Sequence, residues 1–242
     1  MADTMAQLPR RKNEHEIQGI IFDLDGTLIK SVVNFPKMKE YMIEYINRNS
    51  ISDTTYSITQ TTNEIIYDLN IQMSKRKIST TDKEKIFREI SEILSEIEFE
   101  NLDEVVLQPG VKELLELCAE LGIKLGILTR ASREYTLAAL EKTGIKKYFT
   151  VVLTRDEFGL LRAKPHPDAL NQIIKEFKVP LENIIFVGDH KIDFTAARNG
   201  NIEFIGILTG VFDRIKFQEI GCGTIVQDFN ELTDLIKNYN TL

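Results

Sequence analysis

From Gln108 onward the chain alternates short apolar runs with stretches of helical period, and no other feature narrows its possible folds so far. An apolar run of three to six residues is too short for a helix and, between turn signals, reads as a strand buried in a parallel sheet. Such runs fall at residues 124–128, 148–153, 184–187, 204–208 and 224–226, and an earlier one lies at 19–22. Helical patterns separate them. Residues 111–121 carry the stripe Val111, Leu114, Leu115, Cys118 and Leu121, Ser132 caps a helix running to about residue 143, and Pro165 and Pro167 open a helix with Leu170, Ile173, Ile174 and Phe177 on one face. A short helix stops at Asn199-Gly200, and a closing one spans 229–237. Parallel strands joined by helices require right-handed crossovers, so the pattern predicts an α/β fold with a doubly wound parallel sheet covered on both faces.

The stretch between Gly26 and Gly110 has a different texture: it contains no glycine, and Pro36 is its only proline before Pro109. Met38, Tyr41, Met42, Tyr45 and Ile46 recur at helical spacing, as do Ile86, Ile90, Ile93, Leu94 and Ile97, with a third helix expected around 62–73 and a polar connection at 50–60. Residues 31–108 therefore read as an inserted helical unit, and the core is assigned to 17–30 and 109–242. Charged residues from 82 to 100 read as the solvated face of the long helix. The polar residues 1–16 read as a loose tail.

A net charge of −7 argues against binding nucleic acid through the whole surface. Two cysteines give no disulfide framework, and Cys118 falls on an apolar stripe. Neither a secretory signal core nor a membrane-length apolar run is present, so a cytoplasmic protein is expected. Oligomeric state is not legible in the sequence.

In a doubly wound sheet, ligands bind beyond the carboxyl ends of the strands. The first strand ends in Asp23 and Asp25, which alternation puts on one side with Leu24 opposite. Two carboxylates so close call for a cation, a raised pKa, or both. The plainer alternative is a strand that stops in an Asp-Gly turn. The next strand ends in Thr129 and Arg130, Lys164 precedes Pro165-His166-Pro167, and the run at 184–187 leads to Gly188-Asp189 with Asp193 four residues on. Singly, Thr129 is an ordinary cap residue, Lys164 a loop cation, Asp189 a turn residue and Asp193 a first-turn acid. Jointly, four strand ends deliver the groups that phosphoryl transfer needs: a nucleophile, positive charge for the phosphoryl oxygens and a proton donor.

Asp23-Leu24-Asp25-Gly26-Thr27-Leu28 resembles the first motif of the haloacid dehalogenase-like hydrolases, and Thr129, Lys164 and Asp189 with Asp193 follow in the order of that family's other motifs. The resemblance covers residues 18 to about 210, and 31–108 sits where the family places a helical cap. It implies a phosphatase acting on a small phosphorylated metabolite, phosphoglycolate being the nearest analogy, with Asp23 as nucleophile and Asp25 as general acid and then base. Thr129 and Lys164 would hold the phosphoryl oxygens. Magnesium would be bound by Asp23, Asp189 and the main-chain carbonyl of Asp25, with Asp193 in support. A phosphomutase and a non-catalytic phosphate-binding module are the alternatives. Arg130 departs from the Asn that often follows Thr in the second motif, and His166 and His190 are left outside the chemistry. Lys30, Phe35 and Lys37 are candidate substrate contacts.

Overall fold

The computed structural model describes residues 16–240, so the segment expected to be a tail lies outside the described residues except for Glu16. Six parallel strands form one sheet: β1 (Gly19–Phe22), β2 (Lys124–Leu128), β3 (Val151–Leu153), β4 (Ile184–Gly188), β5 (Glu203–Ile207) and β6 (Thr224–Val226). Their order is β3-β2-β1-β4-β5-β6, so β1 is central, with β2 and β4 on either side in register from Gly19 to Phe22. Strand side chains alternate between faces, and both faces are apolar. Ile20, Phe22, Leu125, Ile127, Ile185 and Val187 enter one core, against α4 (Val111–Glu120), α5 (Arg133–Lys142) and α10 (Phe229–Tyr239). Ile21, Leu128, Ile184, Phe186 and Phe204 enter the other, against α7 (Pro167–Phe177), α8 (Lys191–Asn199) and α9 (Arg214–Glu219). Each such side chain contributes about 1.5–3 kcal/mol by leaving water. This double burial, rather than the short strands' hydrogen bonds, is what holds the sheet in register.

Between β1 and α4 run α1 (Phe35–Arg48), α2 (Thr62–Lys75) and α3 (Thr80–Phe99). Each starts on a side-chain cap: Asn34 accepts from the Lys37 amide, Thr61 and Glu64 form a reciprocal capping box, and Ser79 accepts from the Asp82 amide. Their apolar stripes, among them Met42, Ile46, Ile66, Leu69, Ile90 and Leu94, meet in a third hydrophobic cluster. Leu160, on the one-turn α6 (Gly159–Arg162), joins that cluster from the segment after β3.

Three local expectations need correction. The strand expected at 148–153 begins only at Val151, because residues 146–148 close a 3-10 turn in which the Tyr148 amide donates to the Ile145 carbonyl at 3.1 Å. The turns of helix at α6 and α9 were not expected; four and six residues are too few for a period to show. Finally, Glu98 is not on a solvated face: it is buried and pairs with Arg155. Cys118 lies in the core as expected, and both cysteines are free. No described helix is long and apolar enough to cross a membrane.

Candidate active site

β1 stops where its backbone turns. The Asp23 amide still pairs with the Val187 carbonyl at 3.0 Å, which fixes the Asp23 main chain between β2 and β4. Beyond it the Leu24 carbonyl accepts from the amides of Leu28 and Ile29 at 2.9 and 3.1 Å, and Gly26 takes φ +85°, a region open to glycine at little cost. The turn leaves Asp23 and Asp25 at the head of the sheet while Leu24 is buried in the core. A Cβ on Gly26 would lie 2.7 Å from Asp189 Oδ2, and one on Gly210 would overlap the same carboxylate. Both glycines therefore let the backbone close around Asp189.

The predicted residues meet. Thr129, Asp189 and Lys164 are brought beside Asp23 by the end of β2, the end of β4 and the segment leading into α7. The Lys164 ammonium hydrogen-bonds Asp23 Oδ1, donates to the Leu128 carbonyl at 3.0 Å and lies 2.6 Å from Asp193 Oδ1. Asp193 Oδ2 in turn accepts from the His190 amide at 3.0 Å, so both of its oxygens are engaged. Asp189 accepts from Thr27 Oγ1 at 3.1 Å and from the Val211 amide at 2.8 Å. Thr129 Oγ1 accepts from the Ala131 amide at 3.1 Å, leaving its own proton to donate. Asp25 Oδ1 accepts from Tyr135 Oη at 3.0 Å.

These groups floor a cavity of about 760 Å³, roofed by residues of α1–α3 that include Met38, Lys39, Asn63 and Leu94. Lys30 and Phe35 also line it; Lys37 does not, being paired with Glu100 at the surface.

The acids are crowded and dry. Burial, and then the charge of Asp23, push Asp25 up to about 7 against the opposing Tyr135 hydrogen bond. Burial also pushes Asp23 upward, with Lys164 opposing and Asp193 adding to the rise, and Asp189 is pushed up by burial and by Asp23 and Asp193. For Lys164 burial acts downward, but Asp193 and Asp23 outweigh it and hold the ammonium protonated. One oxygen from each of Asp23, Asp189 and Asp193 falls within 4.8 Å of the others, and all three residues are buried. With Asp25 alongside, a single ammonium faces four carboxyl groups. A hard cation with oxygen ligands fits this donor set and would relieve the excess negative charge.

Both described histidines are helix caps. His166 Nδ1 accepts from the Asp168 amide at 3.3 Å, and His190 Nδ1 from the Ile192 amide at 3.4 Å. Burial lowers the His190 pKa, consistent with a neutral accepting ring packed edge-on to Phe212. Sequence reasoning missed Tyr135, Thr27 and the Arg155–Glu98 pair. Thr27 stood in the Asp-Gly-Thr motif and was available as a signal, whereas Tyr135 sits mid-pattern in α5 and nothing local marks it. Arg155, fully buried, donates to Glu98, to Ser91 Oγ at 3.0 Å and to Ser95 Oγ at 2.7 Å, while Glu98 Oε2 accepts from the Ser132 amide at 3.0 Å. Helix α3 is thereby fastened to the turns that follow β2 and β3.

Against known proteins, the family model described as haloacid dehalogenase-like hydrolase matches residues 20–207, spanning all four groups of site residues. The chain belongs to the haloacid dehalogenase-like hydrolases, and it is an enzyme of that hydrolase family. It is 24% identical over 225 residues to the pyrophosphatase PpaX of Oceanobacillus iheyensis, covering 91% of this chain and 97% of that one. It is 27% identical over 198 residues to a phosphoglycolate phosphatase of Vibrio parahaemolyticus, covering 81% and 86%. Its fold resembles the crystal structure of a hydrolase from Pseudomonas syringae, with TM-score 0.65, 20% identity and coverage of 91% of this chain and 98% of that one.

Proposed function

We propose that the protein is a magnesium-dependent phosphatase that hydrolyses a small phosphate monoester by way of an aspartyl-phosphate on Asp23. The observation that carries the reading is the placement of Asp23 at the cavity floor, hydrogen-bonded by Lys164, with Asp189 on one side and the proton-bearing Asp25 two residues on.

In the first step an Asp23 carboxylate oxygen attacks phosphorus as the bond to the leaving oxygen breaks, and Asp25 gives its proton to that oxygen. In the second, water attacks the phosphorus, Asp25 takes the water's proton, and the bond to Asp23 breaks, releasing inorganic phosphate. Lys164 and the Thr129 hydroxyl hold the phosphoryl oxygens throughout. Tyr135 fixes Asp25 by Oδ1 and leaves Oδ2 to carry the proton. Asp193, tied to the His190 amide, holds Lys164 in place. Magnesium, held by Asp23, Asp189 and the Asp25 main-chain carbonyl, would neutralise charge on the phosphoryl oxygens. Residues 31–108 act as a cap that excludes bulk water and contacts the organic part of the substrate. The phosphoglycolate phosphatases and the pyrophosphatase among its relatives support a small, highly charged substrate.

Incubating the protein with a panel of phosphorylated metabolites and magnesium should release phosphate, and Asp23→Asn should cut the rate by at least about 10³-fold. Turnover that survives Asp23→Asn would remove the covalent mechanism. If a sugar phosphate supplied with its bisphosphate isomerises faster than phosphate is released, the enzyme is a phosphomutase instead.

A further inference from the structure

One arginine in the cavity is left over by this chemistry. Lys164 answers Asp23 and Asp193, and Arg155 answers Glu98. Arg130 lines the same cavity, is half-buried, and among the described residues forms no ion pair. Among the described residues its side chain makes one hydrogen bond, from Nη1 to the main-chain carbonyl of Lys164, so the guanidinium is braced by a residue that holds the phosphoryl group. A guanidinium has five N–H donors in a rigid fork, and most of this fork is uncommitted.

Arg130 shares the cavity wall with Thr62 and Asn63 of α2. Burial brings its pKa down to about 10, which leaves it charged at neutral pH. A half-buried cation without a counter-charge is costly, and an anion arriving with the substrate would remove that cost. Lys30 and Lys39 line the cavity as well, adding positive charge above the floor.

We propose that Arg130 is the seat of a second anionic group of the substrate, beside the phosphoryl position held by Lys164, making the enzyme selective for phosphate esters that carry a carboxylate or a further phosphate. The proposal rests on the phosphatase reading, and its test separates the two.

Two matched pairs are compared by kcat/KM with the wild type, Arg130→Met and Arg130→Lys. Phosphoglycolate is set against its neutral carboxamide, and propanediol bisphosphate against 3-hydroxypropyl phosphate, so that the pair showing the preference identifies the anion as carboxylate or phosphate. The wild type should prefer an anionic member. Arg130→Met should lower kcat/KM for that member at least about 30-fold, chiefly through KM, and change its neutral partner little. Arg130→Lys should restore part of the preference. Equal losses on both members of each pair, or no preference in the wild type, would overturn the proposal. Calorimetric titration of the same ligands onto Asp23→Asn, with and without Arg130→Met, reads the subsite without turnover. Anion selectivity that disappears with Arg130 supports the site even if the covalent mechanism fails, and equal binding of charged and neutral ligands rejects it.

Discussion

Asp23 and Asp25 are chemically identical side chains, and what gives them different work is what touches each one. Asp23 meets an ammonium that favours its anion, whereas Asp25 is buried beside that negative charge and so keeps a proton to higher pH, with the Tyr135 phenol opposing the rise while it orients the group. If Tyr135 orients the acid, Tyr135→Phe should damage only reactions whose leaving group needs a proton. We expect kcat/KM to fall about tenfold on alkyl phosphates and to stay close to wild type on 2,4-dinitrophenyl phosphate. Equal loss on both would reduce Tyr135 to a packing residue. If Asp25 is the general acid of the first step, kcat/KM should also decline as pH rises through about 7, and Asp25→Asn should erase that limb. The aspartates were legible in the sequence because each directly follows an apolar strand. Tyr135 was not, since its reach to Asp25 spans 110 residues of chain and depends on how α5 packs over β1.

At the level of elements, strands and long helices were legible because burial imposes a period on them, while the joints between them were not. Glu98 shows why. In the sequence it is one of many acids on a long helix, and only the arrival of Arg155 from the far end of β3 turns it inward. The pair is almost wholly enclosed, so removing one partner should strand a charge: Arg155→Met should cost about 3–5 kcal/mol in urea unfolding, and Arg155→Met combined with Glu98→Gln should cost less than the sum of the two single changes. Strict additivity would mean the two charges do not support each other. The doubly wound order was predictable from alternation and chirality. Strand length was less so, as residues 148–150 show, because pairing starts where a turn lets it.

For the whole molecule, the acidic floor makes stability a function of pH and of bound cation. Asp23, Asp25 and Asp189 all have folded-state pKa values above the ordinary 3.8, so above that pH the metal-free folded chain holds more protons than the unfolded one. The stability these groups contribute is fully present below about pH 4 and is lost as pH rises through the folded value, near 7 for Asp25. Thermal melts of metal-free protein should therefore fall between pH 5 and 8, and magnesium should raise the melting temperature more at pH 8 than at pH 5. A metal effect independent of pH would argue against the aspartate floor as its site.

The Arg155–Glu98–Ser132 fastening also has a bearing on modularity. Helices α1–α3 look like a part that could be exchanged for a relative's in order to change what the enzyme accepts. Yet their anchoring arginine stands 57 positions after Glu98, at the end of β3. A transplant of residues 31–108 would bring Glu98 without Arg155, or meet Arg155 without Glu98. Exchanges of those residues alone should thus fold poorly, and those that carry residue 155 along with them should seat.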